Sequence, residues 1–172
     1  LAVELPDDRT TVIEPAHTPG LADERAAVLA ALARPISTRP LREWIKSGDR
    51  ICILFTDITR ATPNERLIPW LLEYLRDVPR EQITLVNQLG THRPNTTTEL
   101  EQMLTPEVVR HYHVVNHDAE NPAALVQVGT TRDGTPALLN RRVVEADVRI
   151  VTGFIEPHFF AGFSGGPKGL MP

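Results

Sequence analysis

A chain of 172 residues, 41% hydrophobic and 23% charged, is long enough for one domain with a real core and short for two. That balance excludes a disordered chain, and a formal charge of -4 with scattered basic residues argues against a nucleic-acid or polybasic membrane surface. The single cysteine, Cys52, rules out an internal disulfide and a Cys-based zinc site; with no apolar run of membrane-spanning length and no signal-peptide pattern, a reducing, cytoplasmic setting is expected.

Residues 1–14 read as two short extended pieces around Pro6-Asp7-Asp8, a hairpin pattern. Leu21 to Ala33 is rich in Ala and Leu at helical spacing and ends at Arg34-Pro35. Pro40 to Lys46 predicts a second short helix, stopped by Ser47-Gly48-Asp49. Arg50 to Thr56 is a continuous apolar run between turn residues, the pattern of a strand buried on both faces in a parallel sheet. Cys52 lies inside it and reads as a small buried apolar side chain. Thr62-Pro63-Asn64-Glu65 has capping-box spacing with Pro at the first helical position, predicting a helix to about Arg76 with a kink near Pro69. Asp57 and Arg60 then fall in the turn at the C-terminal end of the strand, the edge where open α/β sheets bind ligands.

The pattern repeats. Gln82 to Leu89 predicts a second buried strand, Gly90-Thr-His92-Arg-Pro-Asn-Thr96 its exit loop, and Thr96-Thr-Thr-Glu99 a capping box opening a helix to Leu104. A helical turn starts at Thr105-Pro106-Glu107. His111, His113 and His117 are metal-like only by count. His113-Val-Val-Asn116 reads as a strand and nothing completes a ligand set, so surface or structural roles are expected for all three. Ala124–Val128 and Pro136–Asn140 predict a hairpin around Asp133-Gly134, Arg141–Ala146 a short helix, and Asp147–Thr152 a third Val/Ile strand.

That strand exits into Gly153-Phe-Ile-Glu-Pro-His158-Phe-Phe-Ala-Gly-Phe-Ser-Gly-Gly-Pro-Lys168, the richest stretch of the chain. Glycines at 162, 165, 166 and 169 suit unusual dihedrals and close approach to a ligand. Three strand exits therefore carry polar groups: Asp57 with Arg60, His92, and Glu156 with His158 and Lys168. Two imidazoles at one sheet edge suit acid–base work on both faces of a small ligand. Arg60 suits bidentate binding of a carboxylate, and the glycine loop (Gly165, Gly166) backbone contact to a phosphate. Lys168 suits a covalent anchor or an activated amine. No Gly-x-Gly-x-x-Gly follows an early strand, so a dinucleotide site is unsupported. The fold class is α/β, a largely parallel sheet between helix layers, Rossmann-like without a dinucleotide fingerprint.

Asp57-Ile-Thr-Arg60-Ala-Thr-Pro63, Gly90-Thr-His92-Arg-Pro-Asn-Thr96 and the Gly153–Lys168 stretch, in that order and spacing, resemble the three N-terminal motifs of the nickel-dependent lactate racemase family. The resemblance covers nearly the whole chain. It implies the N-terminal, cofactor-anchoring domain of a two-domain enzyme, with the C-terminal domain and the nickel-ligand His outside residues 1–172. Because the chain stops at Leu170-Met171-Pro172, directly after its richest loop, a natural continuation is expected. The resemblance also implies a nickel pincer nucleotide, a thiolated pyridinium mononucleotide, held covalently through Lys168 and contacted by Asp57, Gly165 and Gly166. It makes His92 and His158 the acid–base pair and puts Arg60 at the substrate carboxylate. The implied reaction is racemisation or epimerisation of a small 2-hydroxy acid by proton-coupled hydride transfer, with cofactor-biosynthesis proteins as partners. Two other classes compete: a non-catalytic domain binding a phosphorylated or carboxylated ligand, and an enzyme using Lys168 as a Schiff base.

Overall fold

A computed structural model describes residues 2–170. Four strands form a parallel sheet in the order β3-β2-β1-β6, where β1 is Ile51–Thr56, β2 Ile83–Gln88, β3 His113–Asn116 and β6 Val148–Val151. All six residues of β1 are buried, as expected of a central strand in a parallel sheet. Ile51 pairs with Ile83 on one side and Val148 on the other.

The sheet divides two apolar layers because strand side chains alternate. Ile51, Ile53 and Phe55 face helices α2 (Asn64–Tyr74), α3 (Thr97–Leu104) and α4 (Pro106–His111) through Ile68, Leu71, Leu104 and Val108. Helix α1 (Glu24–Ala33) adds Leu32 at the margin of that layer. Cys52, Leu54 and Val86 face the other way, onto Val143 of α5 (Arg141–Glu145), Ala146 and Leu170. Burial pushes the Cys52 thiol up to about 12, so it is an apolar core group. This second layer is thin, and the thin cover leaves room at the sheet edge. The chain winds from β1 through β2 to β3 on one side and places β6 on the other, so the topological switch lies beside β1. A hairpin of β4 (Leu125–Thr130) and β5 (Pro136–Asn140) and a ribbon of β7 (Pro157–His158) and β8 (Gly162–Phe163) complete the described elements. No described helix is long and apolar enough to cross a membrane.

Several local expectations change. Residues 2–22 form no hairpin: Asp7–Arg9 is a 3-10 turn and the rest has no regular secondary structure. Val3, Leu5, Val12 and Ile13 are all exposed, so no buried face exists to set a register. α1 starts at Glu24 because the Asp23 carboxylate accepts the Ala26 N–H as its cap. Pro40–Lys46 yields only a 3-10 turn, Leu41–Trp44. The capping box at Thr62 does not form, and its buried hydroxyl has no partner. Pro63 precedes the helix instead of starting it. Asn64 reaches back from the first turn, its Nδ2 donating to the Thr56 carbonyl at 2.9 Å, which ties α2 to the end of β1. The capping box at Thr96 does form, with Glu99 accepting the Thr96 N–H at 2.8 Å.

Candidate active site

The exits of β1, β2, β3 and β6 open into one cleft of ≈ 690 Å³. Asp57, Arg60, His92, His158, Gly165 and Lys168 all line it. Gly166, expected beside them, does not line the cleft; it sits at φ +53° in the turn that carries Lys168.

Asp57 is buried, 3% exposed, directly after the last residue of β1. Its Oδ1 accepts from the Thr59 N–H at 2.8 Å and from the Thr59 hydroxyl at 2.6 Å. Its Oδ2 lies 2.5 Å from Nδ1 of His92. Burial works against ionisation of Asp57, but the hydrogen bonds from Thr59 and His92 outweigh it and hold the carboxyl below its ordinary value. An ionised carboxylate only accepts, so His92 Nδ1 carries the proton. Neutral His92 therefore presents an unprotonated Nε2, the state of a base. From sequence, Asp57 is a cofactor contact; the structure shows both its oxygens engaged with His92 and Thr59.

The loop behind His92 is fixed from below. Arg93 makes a two-point contact with Glu99, and Glu99 also accepts from the Asn95 side chain at 3.2 Å. These bonds, with Arg93 first, hold the Glu99 carboxyl far below the usual range. Asn87, wholly buried in β2, donates to Oδ1 of Asn95 at 2.8 Å and of Asn116 at 3.0 Å. One side chain thus binds the His92 loop to the end of β3.

His158 is held in the opposite sense. The backbone N–H groups of Phe160 and Ala161 both point at its Nδ1, each at 3.3 Å. A ring nitrogen that accepts is unprotonated, so neutral His158 carries its proton on Nε2, where it can donate a hydrogen bond. Its loop is stapled by Ser164, whose hydroxyl donates to the Phe154 carbonyl and accepts the Glu156 N–H. Gly153 packs against Gly165 so tightly that a Cβ there would lie 2.8 Å from the Gly165 Cα. Gly165 itself has φ +77°, a left-handed position that glycine takes without strain. Arg60 Nη1 lies 3.6 Å from Glu156 Oε1, spanning the two loops.

Residues 1–172 match the family model described as the lactate racemase N-terminal domain. The chain belongs to this family. It is 36% identical over 150 residues to lactate racemase from Lactiplantibacillus plantarum, covering 87% of this chain and 35% of that protein. It is 34% identical over 176 residues to lactate racemase from Thermoanaerobacterium thermosaccharolyticum, covering 100% of this chain and 41% of that one. The solved lactate racemase apoprotein from T. thermosaccharolyticum superposes with a TM-score of 0.85 over 100% of this chain and 40% of that chain. A Thermotoga maritima protein of 25% identity gives 0.67 over 86% and 37%. This lactate racemase family domain thus spans about two fifths or less of the curated relatives it matches.

The residues present fit an organic group tethered at Lys168. The lysine is half-buried in the cleft wall and has no carboxylate within ion-pair distance among the described residues. At Gly169 a Cβ would collide with the Gln88 amide at 2.1 Å, so the turn carrying Lys168 seats directly on the end of β2. A volume of ≈ 690 Å³ is that of a site for a nucleotide-sized molecule. No group of three or more His, Cys, Asp or Glu positioned for a metal ion occurs among the described residues, so a bound metal would need further ligands.

His117 and Asn140 also line the cleft and were not expected there. The signal was available: His117 follows β3 as His92 follows β2, and parallel strands end on one edge. His111 and His113 are exposed and do not line the cleft.

Proposed function

We propose that the full-length protein carrying this domain racemises or epimerises a small 2-hydroxy acid, lactate being the substrate its relatives' names support. One observation carries the reading: two imidazoles in a single cleft are held in opposite tautomers, one presenting a bare Nε2 and the other an Nε2–H. Inversion of a stereocentre asks for an acid–base group on each side of it. His92 Nε2 takes the hydroxyl proton from a substrate bound on its side. Protonated His158 would give a proton to an alkoxide on the other side and leave as the neutral ring, and the roles exchange for the opposite enantiomer.

Arg60 binds and orients the carboxylate. Its guanidinium is anchored on one edge by Glu156 and keeps its remaining N–H groups for the ligand. Asp57 holds the His92 ring in register and balances the charge when the ring is protonated. A nickel pincer nucleotide bound through Lys168 supplies an acceptor and donor for the α-hydrogen as hydride, a task no side chain of this cleft performs. Lys168 tethers it, and Gly165, which lines the cleft, lets the backbone approach it closely.

Intact mass and peptide mapping of the protein purified from its native host test this reading. Extra mass on Lys168, with D- and L-lactate interconverted, is the expected result. In the same protein, His92→Ala and His158→Ala should each abolish racemisation while the fold survives. Unmodified Lys168, or tolerance of either histidine's loss, would leave only a ligand-binding domain.

A further inference from the structure

Asn87 is out of place for a core residue. It lies in β2 after Leu85 and Val86 and before Leu89, all buried, and is itself 0% exposed. Its row across the sheet is Phe55, Asn87 and Asn116. A buried amide costs stability unless its donors and acceptors are paired, and the Asn87 Oδ1 has no partner among the described residues. An apolar side chain would serve the fold better at this position, so the use of Asn87 lies in what its other half holds.

Both bonds of its Nδ2 go to asparagines: Asn95 Oδ1 at 2.8 Å and Asn116 Oδ1 at 3.0 Å. Asn116 donates in turn from Nδ2 to the Asn95 carbonyl at 2.9 Å and accepts the Asn95 N–H at 3.3 Å. Two strands therefore grip Asn95 by its N–H, its carbonyl and its side chain at once. Its Nδ2 donates to Glu99 of α3 at 3.2 Å, so the helix grips it as well. Asn95 stands three residues after His92. The near end of the same loop is closed by the His92 N–H, which donates to the Leu89 carbonyl at 2.9 Å. His92 is thus held between two fixed points. The Asp57 carboxylate sets the tautomer of the ring, but a bond of 2.5 Å survives only if the loop brings the ring to it.

We propose that Asn87, acting through Asn95 and Asn116, is a positioning residue for the racemisation: it sets where the His92 ring stands relative to Asp57 and to the substrate. The proposal rests on the reading of His92 as one of the two acid–base groups, and it names what holds that group in place.

The test uses full-length protein carrying its covalent group. Asn87→Ala removes both donor bonds. Its kcat for D- and L-lactate should fall by roughly tenfold to a hundredfold, the effect of a misplacement of about 1 Å, while KM changes less than about twofold because Arg60 is on another loop. Leu85→Val, on the same face of the same strand, is the control for lost stability alone; it should lower the denaturant midpoint and leave kcat unchanged. Spectra of ¹⁵N-histidine read the ring without turnover: in Asn87→Ala the His92 Nδ1 resonance should lose the signature of its bond to Asp57, with His158 unmoved. Where Asn87→Ala fails to fold, Asn116→Ala, at a half-buried position at the end of an edge strand, breaks the same grip on Asn95. An unmoved His92 in a folded variant overturns the proposal, and so does a fall in kcat that Leu85→Val reproduces; the three asparagines then serve the fold alone. If the wild-type protein does not racemise lactate, the reading of the reaction fails and the spectra still decide the positioning: a His92 displaced in Asn87→Ala upholds it, and a His92 that stays overturns it.

Discussion

The two histidine loops solve one problem in opposite ways. His92 stands on a buried carboxylate, and its loop is bound through Arg93, Asn95 and Glu99 to two strands and a helix cap. His158 stands on two backbone N–H groups of its own loop, with Phe159 and Phe160 beside it almost fully exposed. The first ring is positioned by long-range contacts and a charge; the second by local backbone and by glycines that let two segments touch. The first partner accepts from Nδ1, whereas the second pair donates to it. The cleft is therefore asymmetric before any substrate arrives.

The largest expected break is Asp57→Asn in the full-length protein. An amide can hold the ring in the wrong tautomer, and racemisation should fall by about a thousandfold or more, by analogy with the Asp of a His-containing triad. Turnover measured in both directions, with its pH profile, checks this; activity within threefold of wild type would mean that Asp57 does not set the state of His92. Next is Gly153→Ala. Its methyl group must displace Gly165 backbone, at about 1–3 kcal/mol for an overpacked contact. Mass spectrometry should show loss of the covalent group at Lys168, while the His92 ring resonances stay put. If both loops respond, they are not independent.

Ser164→Ala removes the staple of the β6 exit. About 1 kcal/mol of local stability should be lost. Faster amide exchange at Glu156 would show it, with exchange in the Asn95–Glu99 segment unchanged. The smallest effects are those of pH. The Asp57 carboxyl is lowered on folding, so its contribution is complete above the ordinary carboxyl value of 3.8 and is lost as pH falls through the folded value. His117 is also lowered on folding, so it favours the fold above its ordinary 6.5 and disfavours it as pH falls below that. Denaturant midpoints between pH 7 and 5 should drop less in His117→Gln than in wild type.

Much of the edge was legible because parallel strands announce themselves. Apolar runs at Ile51–Thr56 and Ile83–Gln88 need no long-range information, and polar residues just after such runs must gather at one edge. Asp57, Arg60, His92, His158 and Lys168 were found that way, and by resemblance. His117 escaped the same logic because its strand is short and only partly buried. The cap at Thr62 failed as a local inference: its hydroxyl is buried without a partner, and Asn64 ties the helix start to Thr56 through a tertiary bond.

By itself the sequence determined the parallel core, the strand exits and the glycine positions, since these follow from hydrophobic runs and backbone sterics that act over a few residues. Only the tertiary structure decided which nitrogen of each imidazole carries its proton. That depends on partners 35 residues away for His92 and 23 away for His117, and on how the loop of His158 turns back on its own ring. Hydrogen bonds are directional and short, so the role of a histidine is settled by what lies within about 3 Å of it.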